Sequence, residues 1–393
     1  MAQGGRSIAG LPSRTIAGLV RTPMRRCKGG RRREGARTLV APHHDLRAKP
    51  DLPRRTNAVS EGTPTPESDP VAIVFPGQGS QQPGMGRLVY DHSEAARRVF
   101  EEASELAGMD MAEICIEEDA EALSETTLTQ PAVLTTSVAF LSAMHEKLTE
   151  VGRSIRPRLF GGHSLGLFSA AVAAEALTFR DSMLVVLERS RLMSRFNEGR
   201  PVGMASIIGL NGELVQQICE DATLSAESRV DIANLNLDTQ TVISGDVSAL
   251  ERAMDHARDL QGRVIRLKVK VSSHTPLHHD QAEQFAQIIR EIPMTDPVRP
   301  IVSNRNSKLL RTADDLREEF SEQLRAPVLW SDNVREMTGQ GVRTFIEAGP
   351  GHVLARLVRR TDRSVTAVSL NDAEVEPIPI SVLPPESTQA APS

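Results

Sequence analysis

The stretch Arg158-Leu-Phe-Gly-Gly-His-Ser-Leu-Gly166 contains the pattern Gly-x-Ser-x-Gly, with Ser164 at its centre. Arg158-Leu-Phe160 is typical of a short strand, and the small residues from Leu165 to Ala176 are typical of a helix. Between a strand and a helix, this pattern forms a nucleophile elbow, a sharp turn that lifts the serine hydroxyl above the sheet. The same pattern also occurs in ordinary glycine-rich turns, so the pentapeptide alone makes Ser164 only a candidate nucleophile.

A second glycine-rich loop follows the first apolar run of the chain. The run Val71-Ala-Ile-Val-Phe75 is short and continuous, as expected of a buried parallel strand. The loop after it, Phe75-Pro-Gly-Gln-Gly-Ser-Gln81, lacks the Gly-x-Gly-x-x-Gly spacing and the lysine of phosphate-binding loops. Two interpretations stay open: a plain turn, or a loop that brings the backbone of Gln78 close to a substrate oxygen.

The strand and helix pattern predicts an α/β protein with an inserted subdomain. Four strand-like stretches and two helical stretches alternate between residues 201 and 271 in the order β-α-β-β-α-β, the ferredoxin-like pattern. Before and after them, strands and helices alternate as in a parallel sheet covered by helices. We therefore predict a catalytic domain that comprises residues 69–200 and 272–372, with a ferredoxin-like subdomain at residues 201–271.

Composition excludes several classes of protein. The chain has 393 residues, of which 39% are hydrophobic and 25% charged, as in ordinary globular proteins. No run of about 18 or more apolar residues is present, so the sequence predicts no membrane-spanning helix. The three cysteines form no Cys-x-x-Cys pair, which argues against a disulfide framework or a cysteine zinc site and fits a reducing compartment.

Charge is distributed unevenly along the chain. Residues 1–60 carry 14 Lys and Arg against three Asp and Glu, whereas the remaining residues carry 32 against 48. Without an apolar period, residues 1–68 are predicted to be a disordered basic leader and linker, and residues 373–393 a loose tail. A transit peptide, a nucleic-acid or carrier-docking arm, and an upstream extension from a misassigned start codon all stay open for the leader, and we favour the extension.

Further motifs occur in a fixed order along residues 71–370. They are Phe75–Gln81, Thr129–Ala132, Gly162–Gly166, Glu188–Met193, Ala233–Asn236, Val242–Gly245, Val271–His274, Gln323–Leu324, Pro327–Val328 and Glu347–Gly351. In this order they resemble the malonyl-CoA:acyl-carrier-protein transacylases and the acyltransferase domains of fatty-acid and polyketide synthases. The resemblance implies an α/β-hydrolase-like core with a parallel sheet and an inserted ferredoxin-like subdomain. It also implies transfer of a malonyl group from malonyl-CoA to the phosphopantetheine thiol of an acyl carrier protein.

The resemblance further implies a Ser-His dyad. Ser164 would be the nucleophile and His274, 110 residues downstream, the general base that activates it. A backbone carbonyl supplied by Gln323 would orient the imidazole in place of an acidic third residue. Two more histidines, His278 and His279, follow one helical turn later, and we predict that they lie on a polar helix face.

The same resemblance assigns the residues that bind substrate. Backbone N–H groups of Gln78 and Leu165 would form the oxyanion hole, and elbow geometry independently indicates the second. Arg189 would bind the free carboxylate of the malonyl group, because a guanidinium presents paired donors that match a carboxylate. Asn234 and Met193 match positions near the substrate.

Three stretches differ from the usual family pattern or bear on acyl selectivity. Leu167-Phe168 replaces a Glu followed by an aromatic residue, and Leu237-Asp-Thr239 replaces Ser-Pro-Gly. Val271-Ser-Ser-His274 is closer to the malonyl type than to the methylmalonyl type. Malonyl is therefore the expected acyl group, and a substituted malonyl stays open.

Partners and alternatives follow from the same comparison of motifs. We expect malonyl-CoA and an acyl carrier protein as partners, no metal or redox cofactor, no nucleic acid and no membrane. We also expect a cytoplasmic monomer, with organelle import through the Arg-rich leader left open. Two alternatives are an editing acyl hydrolase on the same fold, which Arg189 disfavours, and a docking protein with a degenerate site. Whether the pathway makes fatty acids or polyketides stays open.

Overall fold

The computed structural model describes residues 71–372, except residues 268 and 270. The predicted leader, residues 1–68, and the predicted tail, residues 373–393, lie outside the described residues. The boundaries of the two predicted domains stay a prediction.

Ten β-strands form in the described part of the chain. In order, they are β1 (Val71–Phe75), β2 (Leu159–Gly162), β3 (Val202–Ile208), β4 (Val230–Leu237), β5 (Gln240–Asp246), β6 (Arg263–Arg266), β7 (Ile301–Val302), β8 (Leu309–Leu310), β9 (Thr344–Glu347) and β10 (Thr366–Ser369). One sheet has six strands in the order β10-β9-β1-β2-β7-β8, and the other has four in the order β4-β5-β3-β6.

Twelve α-helices belong to the same described residues. They are α1 (Arg87–His92), α2 (Glu94–Ala107), α3 (Met111–Ile116), α4 (Thr126–Glu150), α5 (Gly166–Ala173), α6 (Phe179–Gly199), α7 (Gly212–Ala222), α8 (Val247–Asp259), α9 (His279–Glu291), α10 (Ala313–Glu322), α11 (Trp330–Gly339) and α12 (Val353–Thr361). A short 3-10 helix, Gln323–Arg325, follows α10 directly. Helix α5 is apolar along most of its length, and six of its eight residues are buried. Helix α4 mixes apolar with small polar residues, and 17 of its 25 residues are buried.

The six-stranded sheet places the two glycine-rich loops side by side. Its strands are parallel, except that β8 runs antiparallel to β7. All five residues of β1 are apolar and buried, as expected of a parallel strand that is covered on both faces. In the register between β1 and β2, Phe75 lies opposite Gly162. The carboxyl ends of the two strands therefore meet at one edge of the sheet, as the predicted α/β fold with a parallel sheet requires.

The four-stranded sheet is antiparallel, and its elements follow the order β-α-β-β-α-β. Helices α7 and α8 cover one face, where Ala205 and Ile207 of β3 pack against apolar residues of both helices. On the opposite face, Met204 and Val242 pack with Val271, which leads toward His274. This second face is therefore turned toward the site described below.

The sheet ends earlier along its last strand than the sequence predicts. The apolar alternation indicates a strand over residues 264–271, whereas β6 ends at Arg266. The next backbone N–H, of Leu267, still donates to the carbonyl of Met204 at 3.0 Å. Beyond it, Leu267 and Val269 lie against the apolar face of the sheet instead of extending its edge. The prediction is wrong here because the apolar residues cover the sheet face and line a cavity.

Candidate active site

Ser164 lies at a sharp turn between β2 and α5. Its φ is 52°, in the left-handed region that residues with a side chain rarely adopt. The flanking glycines allow the turn, because a Cβ on Gly162 would lie 2.2 Å from the backbone of Gly166. A Cβ on Gly166 would lie 2.0 Å from the carbonyl oxygen of Phe75. The predicted nucleophile elbow is thus the observed backbone geometry.

The loop after β1 packs directly against this elbow. A Cβ on Gly77 would lie 2.4 Å from the carbonyl oxygen of His163, so the two loops touch backbone to backbone. Gln78 and Ser164 line the same cavity. Within the described residues, the backbone N–H groups of Gln78 and Leu165 donate to no other backbone or side-chain group. Two amide donors beside the serine are therefore free for a ligand oxygen.

His274 faces the serine from the other side. Its Nε2 lies 2.7 Å from the Ser164 hydroxyl, and its Nδ1 lies 2.9 Å and 3.2 Å from the carbonyl oxygens of Gln323 and Ala326. Carbonyl oxygens can only accept, so Nδ1 carries the hydrogen and Nε2 presents a lone pair to the serine O–H. The imidazole is oriented by backbone, where the Ser-His-Asp arrangement uses a carboxylate.

Burial and charge keep His274 neutral. Desolvation first, then the positive charge of Arg189, lower the pKa of His274 to about 3 from its ordinary value of 6.5. The Gln323 and Ala326 carbonyls act in the opposite direction and only partly compensate. At neutral pH the imidazole is therefore a free base that can take a proton from Ser164.

Arg189 projects from α6 into the same buried space. Its Nη2 lies 3.2 Å from the Ser164 hydroxyl, and its Nη1 donates to Oε1 of Gln130 at 2.8 Å. Only 1% of the residue is exposed, and no Asp or Glu of the described residues forms an ion pair with it. Burial lowers the pKa of Arg189 to about 9, so the guanidinium still carries its charge at neutral pH. A buried, charged arginine without an anion is costly, which points to an anionic ligand.

These groups surround a cavity of about 270 Å³. One end is polar and contains the Ser164, His274 and Arg189 side chains, and Asn234 and Met193 also line the cavity. Four further lining residues are apolar. They are Met204, Leu267, Val269 and Val271.

Most residues that the sequence marks for the site line this one cavity. Of the other two, Gln323 contacts His274, and Leu165 directly follows Ser164 in the elbow. Two functional residues were not predicted. Gln130 holds the guanidinium of Arg189, and the motif Thr129–Ala132 alone indicates no such role. Asn304, which follows β7, contacts the elbow, and no local motif marks it.

One prediction about nearby histidines is wrong. His278 and His279 were predicted to share a polar helix face, but His278 is fully buried. Its Nε2 lies 3.1 Å from the hydroxyl of Ser272, and its ring contacts Phe196 at 4.3 Å between centroids. The prediction is wrong because His278 precedes α9 in a short 3-10 turn that points it inward, whereas His279 begins the helix and faces solvent.

The described part of the chain offers no cluster of three or more His, Cys, Asp or Glu side chains placed to hold a metal ion. Nor does any helix among those residues have the length and apolar character needed to cross a membrane.

Family comparison gives the class of protein. Residues 72–380 match the family of acyl transferase domains, and the chain belongs to this family. Among its relatives, the malonyl CoA-acyl carrier protein transacylase of Bacillus subtilis is 37% identical over 324 residues, which cover 81% of this chain and 99% of that protein.

Solved structures agree with this assignment. The malonyl-CoA:acyl carrier protein transacylase of Xanthomonas oryzae superposes with a TM-score of 0.72 at 35% identity, covering 78% of this chain and 95% of that one. A malonyl-transacylase solved in complex with a type II PKS acyl-carrier protein has a TM-score of 0.71 at 33% identity, covering 77% and 96%. The family resemblance that the motifs indicated is confirmed.

Proposed function

We propose that the protein transfers a malonyl group from malonyl-CoA to the phosphopantetheine thiol of an acyl carrier protein through an acyl-enzyme on Ser164. The position of Arg189 carries the proposal, since a buried cation without an anion lies 3.2 Å from the nucleophile. A malonyl thioester has a carboxylate one methylene from its reacting carbonyl. Such a short acyl group would place the carboxylate on the guanidinium while Ser164 attacks the carbonyl.

The names of the relatives support this choice of donor and acceptor. The Bacillus subtilis and Xanthomonas oryzae proteins are malonyl-CoA and acyl carrier protein transacylases. A third relative was solved together with an acyl-carrier protein of a type II PKS. Both a fatty-acid and a polyketide pathway are compatible with these relatives.

In the first half-reaction, His274 Nε2 takes the proton from the Ser164 hydroxyl as the oxygen attacks the thioester carbonyl. The negative charge that develops on the carbonyl oxygen would be bound by the free N–H groups of Gln78 and Leu165. As the tetrahedral intermediate collapses, the C–S bond breaks and His274 returns the proton to the leaving coenzyme A sulfur. The product is a malonyl ester of Ser164.

The second half-reaction runs the same steps in reverse with another thiol. The phosphopantetheine thiol of the carrier protein gives its proton to His274, and its sulfur attacks the ester carbonyl. Ser164 leaves with the proton from His274, and the malonyl group is now a thioester of the carrier. No redox cofactor is needed, since no step changes an oxidation state. His274 makes every proton transfer in this scheme, and we propose that no metal takes part.

The substrate carboxylate also assists the base. Arg189 lowers the pKa of His274 through charge repulsion, second to desolvation. When a malonyl carboxylate pairs with Arg189, it neutralises this charge, and the imidazolium that forms during attack becomes less costly. An acetyl group brings no such charge, so the site would favour malonyl in chemistry as well as in binding.

The remaining features of the proposal concern selectivity and setting. Asn234 and Met193 line the cavity, and we assign them to the substrate pocket. We propose malonyl as the acyl group. We also propose that the protein works as a monomer in the cytoplasm, without nucleic acid or membrane as a partner.

The test is the intact mass of the protein after incubation with malonyl-, methylmalonyl- and acetyl-CoA. We expect one malonyl adduct on the peptide that contains Ser164, and its transfer to a phosphopantetheinylated carrier protein faster than to water. Ser164→Ala should abolish the adduct. The matched control is Ser169→Ala, which removes a buried hydroxyl without a hydrogen-bond partner from α5.

Two results would contradict the proposal. A malonyl adduct that persists in Ser164→Ala would exclude Ser164 as the nucleophile. Release of the acyl group to water faster than to the carrier would identify an acyl hydrolase.

A further inference from the structure

Asn304 bridges the two sides of the nucleophile elbow. It follows β7 and only 1% of it is exposed. Its Oδ1 accepts a hydrogen bond from the backbone N–H of Ser164 at 2.7 Å, and its Nδ2 donates to the carbonyl oxygen of Gly162 at 2.7 Å. One side-chain amide thus binds the nucleophile and the end of the strand that leads to it.

The main chain of Asn304 is itself held firmly. Its N–H donates to Oε1 of Glu319 at 3.0 Å, and its carbonyl accepts from the N–H of Leu329 at 2.8 Å. Glu319 is fully buried and pairs with Arg305 at 3.2 Å. The amide that contacts the elbow is therefore fixed from a different strand, with a buried ion pair behind it.

The elbow needs such support. A left-handed backbone at a residue other than glycine is strained and persists only where surrounding contacts enforce it. Ser164 adopts this conformation, with φ at 52°. Its N–H donates to Asn304, and its carbonyl accepts from Nε2 of Gln323 at 3.0 Å. Both polar groups of its backbone are therefore hydrogen-bonded to side chains.

We propose that Asn304 is a positioning residue for acyl transfer: its side-chain amide fixes the elbow so that the Ser164 hydroxyl meets His274 and the Leu165 N–H stays directed at the oxyanion. It touches no substrate and acts through Ser164. The inference rests on the proposed function only in that Ser164 is the nucleophile. Misplacement of a reacting atom by about 1 Å costs on the order of 100-fold in rate.

The experiment compares Asn304→Ala with Asn333→Ala. Asn333 is an equally buried asparagine of the same sheet domain, on α11, whose side chain accepts from the hydroxyl of Ser307 at 2.7 Å, far in sequence from the elbow. We measure the second-order rate at which a fluorophosphonate labels Ser164, together with kcat and KM for malonyl-CoA. Thermal unfolding shows whether both variants remain folded.

For Asn304→Ala we expect labelling and kcat to fall about 100-fold, with KM changed less than about two-fold. Asn333→Ala should keep both rates within about three-fold. Equal labelling of Asn304→Ala and the unchanged protein would overturn the inference. So would a loss that Asn333→Ala shares, or one confined to KM.

Asn304→Asp supplies a second, independent test. A protonated carboxyl has one acceptor and one donor, as the amide has, whereas a carboxylate repels the Gly162 carbonyl. We expect the labelling rate of this variant to rise as pH falls and the new carboxyl becomes protonated, while the unchanged protein shows no such rise. A pH profile parallel to that of the unchanged protein would contradict the positioning role.

If either variant fails to fold, amide hydrogen exchange in the unchanged protein tests the hydrogen bond between Asn304 and Ser164. The N–H of Ser164 should exchange far more slowly than that of Leu165, and equal rates would overturn the inference. Failure of the proposed function is distinguishable from these outcomes, because in that case the unchanged protein itself would not be malonylated at Ser164.

Discussion

The hydroxyl of Ser164 lies 2.7 Å from Nε2 of His274, and both residues have left-handed backbones, with φ of 52° and 62°. The two residues lie 110 positions apart in the chain, so the two strained backbone conformations arise independently. Each is stabilised separately: Ser164 by the elbow glycines and His274 by its N–H, which donates to the carbonyl of Leu324 at 2.8 Å. Backbone strain of this kind clusters at active sites.

The low pKa of His274 predicts an unusual pH profile. Below its pKa the imidazole is protonated and cannot accept the serine proton, so the acid limb of reactivity lies at that pKa. Because burial and Arg189 lower it to about 3, the rate of fluorophosphonate labelling should be flat from pH 8 down to about pH 5. An acid limb near 6.5, the ordinary value, would contradict this description of the site.

Removal of Arg189 should move that limb upward. Arg189→Met eliminates the charge that opposes imidazolium formation but keeps most of the buried volume, so the pKa of His274 should rise toward 6.5 without reaching it. The matched control is Arg191→Met, which removes a half-exposed arginine of the same helix, paired with Glu188. An unchanged limb in Arg189→Met would show that the guanidinium does not act on His274.

Selectivity should depend on the same guanidinium. Arg189→Ala is expected to lose ~2–4 kcal/mol of transition-state stabilisation for malonyl-CoA, since it removes a shielded charge pair. Acetyl-CoA, which lacks the carboxylate, should lose much less. The measurement is the ratio of kcat/KM for the two thioesters, with Arg191→Ala as the control. If the ratio is the same in Arg189→Ala as in the unchanged protein, Arg189 does not select the substrate.

Substitution of an elbow glycine should lower the stability of the folded protein. A Cβ at Gly166 would lie 2.0 Å from the carbonyl oxygen of Phe75 and 2.9 Å from that of Pro76, and both are backbone atoms that cannot move aside as a flexible side chain could. Gly166→Ala should lower the free energy of unfolding by ~1–3 kcal/mol, as overpacking of a tight core does. Gly199→Ala, at the end of α6 with no atom within 4 Å of the new Cβ, should change it by less than about 1 kcal/mol. Equal urea midpoints for the two variants would contradict this interpretation.

Motifs carried in short stretches of sequence predicted much of the site. The strand-turn-helix pattern around Ser164 is local, and its observed geometry follows from two glycines. His274 and Arg189 required the family resemblance, because nothing local separates them from other histidines and arginines. Residues such as Gln130 and Asn304 act on partners 59 and 140 positions away, and no periodicity in sequence records such contacts.

Parts of the fold were missed for a similar physical reason. Helices α11 and α12 and strand β10 were not predicted, although their apolar residues complete one face of the six-stranded sheet. Those elements bury side chains against strands distant in sequence. The error at His278 is of the same type: a polar residue in a helical pattern was assigned to solvent, but the preceding turn directs it inward.

The lowered pKa of His278 predicts how the free energy of unfolding depends on pH. Desolvation chiefly lowers the pKa of His278 to about 4, and the positive charges of Arg189 and Arg200 add to this effect. The folded protein therefore leaves the ring unprotonated between pH 6.5 and 4, whereas the unfolded chain binds a proton there. Stability contributed by the neutral ring is full above pH 6.5 and is lost as pH falls toward 4.

Replacement of this ring should flatten the acid dependence. In His278→Met, the free energy of unfolding between pH 7 and pH 5 should fall less steeply than in the unchanged protein, by up to about 1.4 kcal/mol per pH unit. The control is His279→Met, which removes the adjacent solvent-facing histidine. Urea unfolding at a series of pH values gives the slopes directly, and the comparison does not depend on the absolute stability of either variant.

His274 contributes a slope of the same sign, since its pKa is lowered as well, so some acid dependence must remain in His278→Met. A slope identical to that of the unchanged protein would mean that the folded state accepts a proton at His278 near its ordinary pKa.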